Sequence, residues 1–197
     1  MSVRSDQTSP PLYVYGTEAN RFITSSVQYL PKQAKIAAYA ENEGANAVFL
    51  AKLGHQVTVY DSTLYGLAKV QLLARMNGVS IVTKRVELIE YELPQENYDG
   101  AIMVFGHFKH KFQLMVLDKI MNSIKFNGVF MFEVYEYAQL LYNTGGPNDM
   151  AYLYNAEDIL RWARRYKLKH YFTGEVAQHE ASLQKNTRRV IQVIVEK

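Results

Sequence analysis

Cysteine is absent from the 197 residues of this chain. Disulfides, thiolate zinc sites and cysteine nucleophiles are thereby excluded, and nothing points to an oxidising compartment. Long apolar runs are missing too: no stretch approaches the roughly 18 residues that a membrane-spanning helix needs. The opening MSVRSDQTSPPLY has no apolar centre, so no signal peptide, no membrane partner and a cytoplasmic location are expected. Charge of one sign is nearly balanced out. Twenty-two Lys and Arg stand against 19 Asp and Glu, a formal net charge of +3, which is too little for the clustered basic footprint of a nucleic-acid partner.

What is present suits one folded unit. Hydrophobic residues make up 48% and charged residues 21%, enough for one sizeable core in a chain of ordinary domain length. Residues 1–197 are therefore read as a single domain, without internal repeats. The unusual count is 15 tyrosines, which suggests surfaces that are half apolar and half hydrogen-bonding.

Pro10 and Pro11 bar an early helix. Phe22, Ile23 and Val27 then fall at helical spacing within residues 18–29, and Pro31 stops the run. Beyond it, short apolar runs at 36–40, 57–60, 79–86, 101–105 and 129–134 read as strands. Helical stretches at 45–53, 64–76 and 112–124 separate them, closed by Gly54, Asn77-Gly78 and Asn127-Gly128. Strands alternating with helices of this length form βαβ units, whose right-handed crossovers cover both faces of a parallel sheet. Asn155 can cap a further helix over 156–166. Runs at 171–178 and 188–195 face each other across Gln184-Lys185-Asn186-Thr187, too short a span for a helix, so they pair antiparallel. The expected fold is α/β: a doubly wound, mostly parallel Rossmann-like sheet with helices on both faces and a C-terminal antiparallel hairpin.

In such a sheet the ligand crevice lies at the carboxyl ends of the strands. The loop Ala40-Glu41-Asn42-Glu43-Gly44-Ala45-Asn46 follows the first strand, with only one of the glycines that close approach of a nucleotide favours. Glu41 and Glu43 sit where a helix N-terminus would bind pyrophosphate, so they argue against NAD and for a cationic or phosphate-free ligand. The same glutamates also suit the helix dipole. Asp61 can accept hydrogen bonds from ribose hydroxyls or cap the next helix, with Ser62 as a rival cap. Glu87 can accept from an adenine amino group while Leu88 packs on the ring; a solvated loop is the plainer reading. Phe105-Gly106-His107 follows the fourth strand, and His107 is the one candidate base. The run Arg161-Trp162-Ala163-Arg164-Arg165-Tyr166-Lys167, with Lys169, reads as the wet face of an amphipathic helix with Trp162 partly buried. No metal is expected.

Several segments match one family in order and spacing. They are Tyr13-Val14-Tyr15-Gly16-Thr17-Glu18-Ala19-Asn20, Gly44-Ala45-Asn46-Ala47 with Phe49-Leu50-Ala51, and Val59-Tyr60-Asp61 with Gly66-Leu67-Ala68. Tyr98-Asp99-Gly100 through His107 and Tyr142-Asn143-Thr144-Gly145-Gly146-Pro147 follow. Across nearly its whole length the chain resembles class I S-adenosylmethionine (SAM)-dependent methyltransferases, and more closely the small bacterial branch related to tellurite-resistance methyltransferases. The resemblance implies SAM as cofactor, held by Tyr15, Ala40, Glu41, Asn42, Gly44, Asn46, Asp61, Ser62, Glu87, Leu88 and Phe105. Tyr13 and Tyr142 would wall a pocket for a small-molecule methyl acceptor such as a thiol or chalcogen compound. The chain departs from the family at Ala38, where an acid is usual, and at Ala40 and Asn42, which replace loop glycines. Ala45 stands for an arginine, Glu87 for the commoner Asp, and Lys125-Phe126-Asn127-Gly128 for a Lys-Pro-Gly-Gly turn. The Cβ of Ala40 penalises positive φ, whereas Asn tolerates it better. A SAM-binding protein without turnover is the alternative that these departures leave open.

Overall fold

Alternating apolar runs and capped helices assemble a seven-stranded sheet in the computed structural model, which describes Tyr13 and residues 16–142, 144–178 and 186–197. Helix α1 (Arg21–Ser26) precedes β1 (Lys35–Tyr39), α2 (Ala45–Lys52), β2 (Gln56–Asp61), α3 (Leu64–Met76) and β3 (Val82–Arg85). The chain continues through β4 (Tyr98–Val104), α4 (His110–Ser123), β5 (Ile124–Tyr135), α5 (Ala156–Ala163), β6 (Lys167–Gln178) and β7 (Asn186–Glu196). The strand order is β3-β2-β1-β4-β5-β7-β6. The first five strands are parallel, and β7 enters antiparallel between β5 and β6. This is the doubly wound sheet with a C-terminal hairpin that the sequence pattern implies. Its order reverses between β1 and β4, which fixes the position of the crevice.

Alternate residues of each strand feed two cores, as a pleated sheet requires. Tyr39, Tyr60, Phe130 and Phe132 pack with Leu117 and Ile120 of α4 and Trp162 of α5. Ile36, Ala38, Val57 and Val59 pack on the other face with Ile23 of α1, Leu50 of α2 and Leu73 of α3. Four tyrosines are buried outright rather than at half-wet surfaces, because their hydroxyls have internal partners. Tyr39 meets Ser123 at 2.9 Å, Tyr60 meets Tyr98 at 2.7 Å, and Tyr154 donates to the Gly106 carbonyl at 2.8 Å. A buried hydroxyl without a partner would cost about 1–3 kcal/mol.

The differences from the sequence expectation have local causes. β3 spans four residues instead of the run 79–86, because Ile81 and Val86 are apolar for burial and lie outside the ladder. Asn127-Gly128 does not close α4. That helix ends at Ser123, and Ile124 already pairs with Tyr98; the next pair is Gly100 with Val129, so Asn127 (φ 63°) sits in a bulge of β5. Asn155 caps α5 by accepting from the Glu157 and Asp158 amides, but α5 stops at Ala163 and β6 begins at Lys167. Trp162 is fully buried, its indole N–H donating to Asp118 at 2.7 Å. Arg161, Arg165 and Lys167 each pair with a carboxylate, and Lys169 shares Glu196 with Lys167, so most of this basic run is engaged in surface ion pairs. Asn186 and Thr187 belong to β7, while Gln184 and Lys185 lie outside the described residues, as do Pro10 and Pro11. Among the described residues no helix is long and apolar enough to cross a membrane.

Candidate functional site

β1 delivers the chain to the crevice, and the loop after it is built from left-handed residues. Ala40, Asn42 and Gly44 have φ of 52°, 54° and 93°. For a residue with a Cβ this conformation costs about 1–2 kcal/mol, and it persists where the surroundings over-determine it. Here they do. The Ala40 amide donates to the Tyr60 carbonyl at 2.9 Å, and the Asn42 amide to Asp61 Oδ2 at 3.1 Å. A Cβ on Gly44 would lie 2.9 Å from Val70 Cα, and one on Gly66 would lie 2.7 Å from the Asn42 carbonyl oxygen. The loop is thus clamped between β2 and α3. Gly66 belongs to this clamp; the sequence signal for it is a glycine in a first helical turn, where its entropy cost needs a packing reason.

The two loop glutamates face inward, contrary to the expectation that they meet a cationic ligand. Because Gly44, in the cap position before α2, has no side chain to cap with, the Glu41 carboxylate takes that task. It accepts from the Ala47 amide at 2.8 Å and from Asn46 Nδ2 at 3.1 Å. Burial pushes its carboxyl up to about 7 against those hydrogen bonds. Glu43 forms a buried ion pair with Lys69 of α3. The Lys69 ammonium lies 4.5 Å from the centre of the Tyr65 ring and 5.9 Å from that of Tyr13. Asn46 in turn accepts from the Asn20 amide at 2.8 Å, and the Asn20 side chain donates to Glu133 at 2.7 Å. Gln192 donates to the other Glu133 oxygen, and burial raises the Glu133 carboxyl above its ordinary range. Asn20, Glu133 and Gln192 were not among the expected site residues; a lone acid inside the apolar run of β5 is the signal that marks them.

Asp61, at the end of β2, is buried and heavily engaged. Its Oδ1 accepts from both the amide and the hydroxyl of Thr63 at 2.8 Å, and its Oδ2 accepts from Asn42. Three of about four carboxylate lone-pair positions are therefore in use, leaving one. The cap of α3 is Thr63, rather than Asp61 or Ser62. Beside Asp61, an open depression of about 320 Å³ is lined by Ser62, Arg85, Val86 and Glu87. Leu88 is not part of it. Its side chain is buried in the core on the α4 face, with only 6% exposure, so it cannot pack on a ligand in the depression.

After β4 the backbone is again left-handed, at Phe105 (φ 55°). This turn lays the Phe105 ring on Tyr135, with centroids 4.2 Å apart and planes 15° from parallel. The Arg188 guanidinium lies 5.3 Å from the Phe105 ring centre. His107 is exposed to solvent, with its ring 5.9 Å from Tyr135; partial desolvation by its surroundings lowers its pKa, which favours the neutral, base-competent form. Tyr13 and Tyr142 are not brought together. Tyr13 donates to the Lys69 carbonyl on α3, beside one sheet edge, and Tyr142 donates to Glu175 on β6, the opposite edge strand. Tyr15 lies outside the described residues. The segment after β5 is fastened by Gln139, which donates to Thr144 Oγ1 and the Gly145 carbonyl and accepts from the Arg189 amide.

The mostly parallel sheet with its C-terminal antiparallel hairpin has the Rossmann-like fold seen in solved structures described as SAM-dependent methyltransferases. No protein-family model matches the sequence, and no curated protein matches it. TehB from Haemophilus influenzae superposes with a TM-score of 0.77 over 92% of this chain, at 13% identity. The chain spans 63% of that TehB chain, under two thirds of its length. A protein described for the conversion of a disulfide bond into a thioacetal group in echinomycin biosynthesis gives 0.74 at 12% identity, covering 95% of this chain and 85% of its own. A SAM-dependent methyltransferase from Methanosarcina mazei gives 0.70 at 13% identity, covering 91% and 98%. At these identities the likeness establishes the fold.

The residues at the crevice fit the nucleoside part of SAM. Asp61 keeps one acceptor position, and Ser62 and Glu87 border the open depression beside it, where hydroxyl and amino groups of a nucleoside would find acceptors.

Proposed function

We propose that this chain is a SAM-dependent methyltransferase acting on a small-molecule acceptor, of the kind that the tellurite-resistance branch represents. The observation that carries the reading is the loop at Ala40, Asn42 and Gly44, held left-handed by Asp61 and α3 at the switch between β1 and β4. Strain of this sort in a loop at the crevice is a mark of function. Bound SAM would supply an electrophilic sulfonium methyl that carries its own activation. The chain then has to bind, orient and exclude water, effects together worth up to roughly 7–11 kcal/mol in good geometry. Asp61 would hold the ribose, and Ser62 and Glu87 would border the base. A thiolate or other soft chalcogen acceptor needs little help from a base; an acceptor that must lose a proton would use His107. The sulfur chemistry named for the echinomycin neighbour agrees with a soft acceptor. A cytoplasmic setting belongs to the same reading.

A second reading, SAM binding without turnover, is favoured by one observation: three hydrogen bonds from Thr63 and Asn42 already engage Asp61. Calorimetry with SAM, S-adenosylhomocysteine and NAD tests the shared part. Saturable binding of the first two and none of NAD is expected; NAD binding without a SAM response refutes both readings. Turnover on a panel of small thiols and selenides then separates the enzyme from the binder.

A further inference from the structure

We infer that Glu133 is a positioning residue for the crevice: from inside β5 its carboxylate holds Asn20, and through Asn20 and Asn46 it sets the loop after β1 at the geometry its ligand needs. This rests on the SAM reading above and adds a residue outside the crevice on which affinity depends. A carboxylate is costly where this one stands. Glu133 is 3% exposed, and its strand neighbours Met131, Phe132 and Val134 are fully buried. An apolar side chain would pack at such a position without that cost, and replacing buried charged groups by apolar ones often leaves stability unchanged or raised. Stability therefore gives no reason for an acid here, whereas its partners do.

Those partners lead to both loops that border the switch between β1 and β4. The Glu133 carbonyl accepts from the Phe105 amide at 2.7 Å, which fastens the left-handed turn after β4. Any residue could do that with its backbone; the side chain does the second task. Its Oε1 accepts from Asn20 Nδ2 at 2.7 Å, and Gln192, its register partner on β7, donates to Oε2. Asn20 is held on its other groups as well. Its Oδ1 accepts from the Phe22 and Ile23 amides of α1, and its own amide donates to Asn46 Oδ1 at 2.8 Å. Asn46 passes the constraint on by donating from Nδ2 to Glu41 Oε2 at 3.1 Å, and Glu41 closes the loop on the Ala47 amide at 2.8 Å. In both asparagines the amide oxygen receives and the amide nitrogen gives, so one orientation of each satisfies the whole series.

Calorimetry with S-adenosylhomocysteine on the full chain, beside urea unfolding of the same proteins, tests this. Glu133→Val should weaken the ligand about tenfold, the scale of one hydrogen bond to a charged group, while its urea midpoint stays level or rises. Glu133→Gln should bind within about twofold of wild type, since its amide oxygen accepts from Asn20 and its NH₂ meets Gln192 once that amide turns over. Asn20→Ser keeps a capping oxygen for α1 but withdraws the donor from Glu133. It should weaken the ligand by the same factor as Glu133→Val, and the double variant should be no weaker than either alone. Wild-type affinity in Glu133→Val, or no recovery in Glu133→Gln, overturns the inference. A loss of stability in Glu133→Val alongside its loss of affinity marks a merely structural role and overturns it too. Factors that multiply in the double variant overturn the route through Asn20. If wild-type protein binds no S-adenosylhomocysteine, the SAM reading fails and this inference with it; if wild-type protein binds and the variants match it, the inference alone fails.

Discussion

Glu41 makes the sharpest demand on the fold, because a carboxylate replaces an ordinary cap inside the protein. Its carboxyl stands at about 7 in the native state against an ordinary 4.5, with burial as the leading cause. Between those values the native state holds a proton that the unfolded chain has released. Stability contributed by this group is therefore highest at low pH, falls as pH rises from about 4.5 to about 7, and is level above that. At about 1.36 kcal/mol per pKa unit, the loss between pH 5 and pH 8 is about 2.5 kcal/mol. Glu41→Gln removes the titration. A glutamine can still accept from the Ala47 amide, but it turns an NH₂ toward Asn46 Nδ2, an offset of about 1–3 kcal/mol that is the same at both pH values. Urea unfolding of both proteins at pH 5 and pH 8 gives the difference directly, and other titrating groups cancel in the comparison. The wild-type-minus-variant stability should fall by about 2.5 kcal/mol over this range. A difference that does not change with pH would refute the buried-cap assignment.

Three further outcomes follow from the site. Ala40→Gly relieves a left-handed alanine and should raise stability by about 0.5–1 kcal/mol, whereas Gly44→Ala should lower it by more than about 2 kcal/mol through strain and contact with Val70; thermal scans showing the same sign for both would remove the clamp from the argument. Asp61→Ala should weaken binding of S-adenosylhomocysteine by about 1.5–3 kcal/mol, and an unchanged affinity in a folded variant would reduce Asp61 to a fastener of Asn42 and Thr63. Tyr154→Phe leaves the Gly106 carbonyl without its hydroxyl donor and should cost about 0.5–1.5 kcal/mol in urea unfolding, with faster amide exchange at Gly106 and His107; wild-type exchange there would show that the bond does not hold the loop.

The fold was legible because its signals are local. Gly54 and Gly78 take left-handed conformations just past α2 and α3, and Asn155 caps α5 through its side chain. The site was legible only in position along the chain. Glu41, Asp61, Glu87 and Phe105 do lie at the carboxyl ends of neighbouring strands, or just beyond them. Which way each side chain turns depends on partners far away in sequence. Glu43 is occupied by Lys69, 26 residues on, and the Asn20 side chain meets Glu133 across 113 residues. Leu88 shows the same limit from the apolar side: an apolar residue beside an exposed acid is equally ready to pack on a ligand or on α4, and the core took it.

The missing glycines carry the wider argument. A glycine in a nucleotide-binding loop does two separable things: it permits positive φ, and it lets another backbone approach. At Gly44 both are required, since φ is 93° and a Cβ would strike Val70. At Ala40 and Asn42 only the first is required, and a small or φ-tolerant residue can be held there if the rest of the structure supplies about 1–2 kcal/mol. Asp61 and Tyr60 supply hydrogen bonds for that purpose, and Gly66 supplies the close approach from the α3 side. The shape of the loop therefore depends on Gly66 of α3 as well as on its own Gly44. Losing two glycines from the sequence pattern is compatible with keeping the backbone shape, so the pattern understates the loop, and the φ angles are the better guide to whether a ligand can approach it.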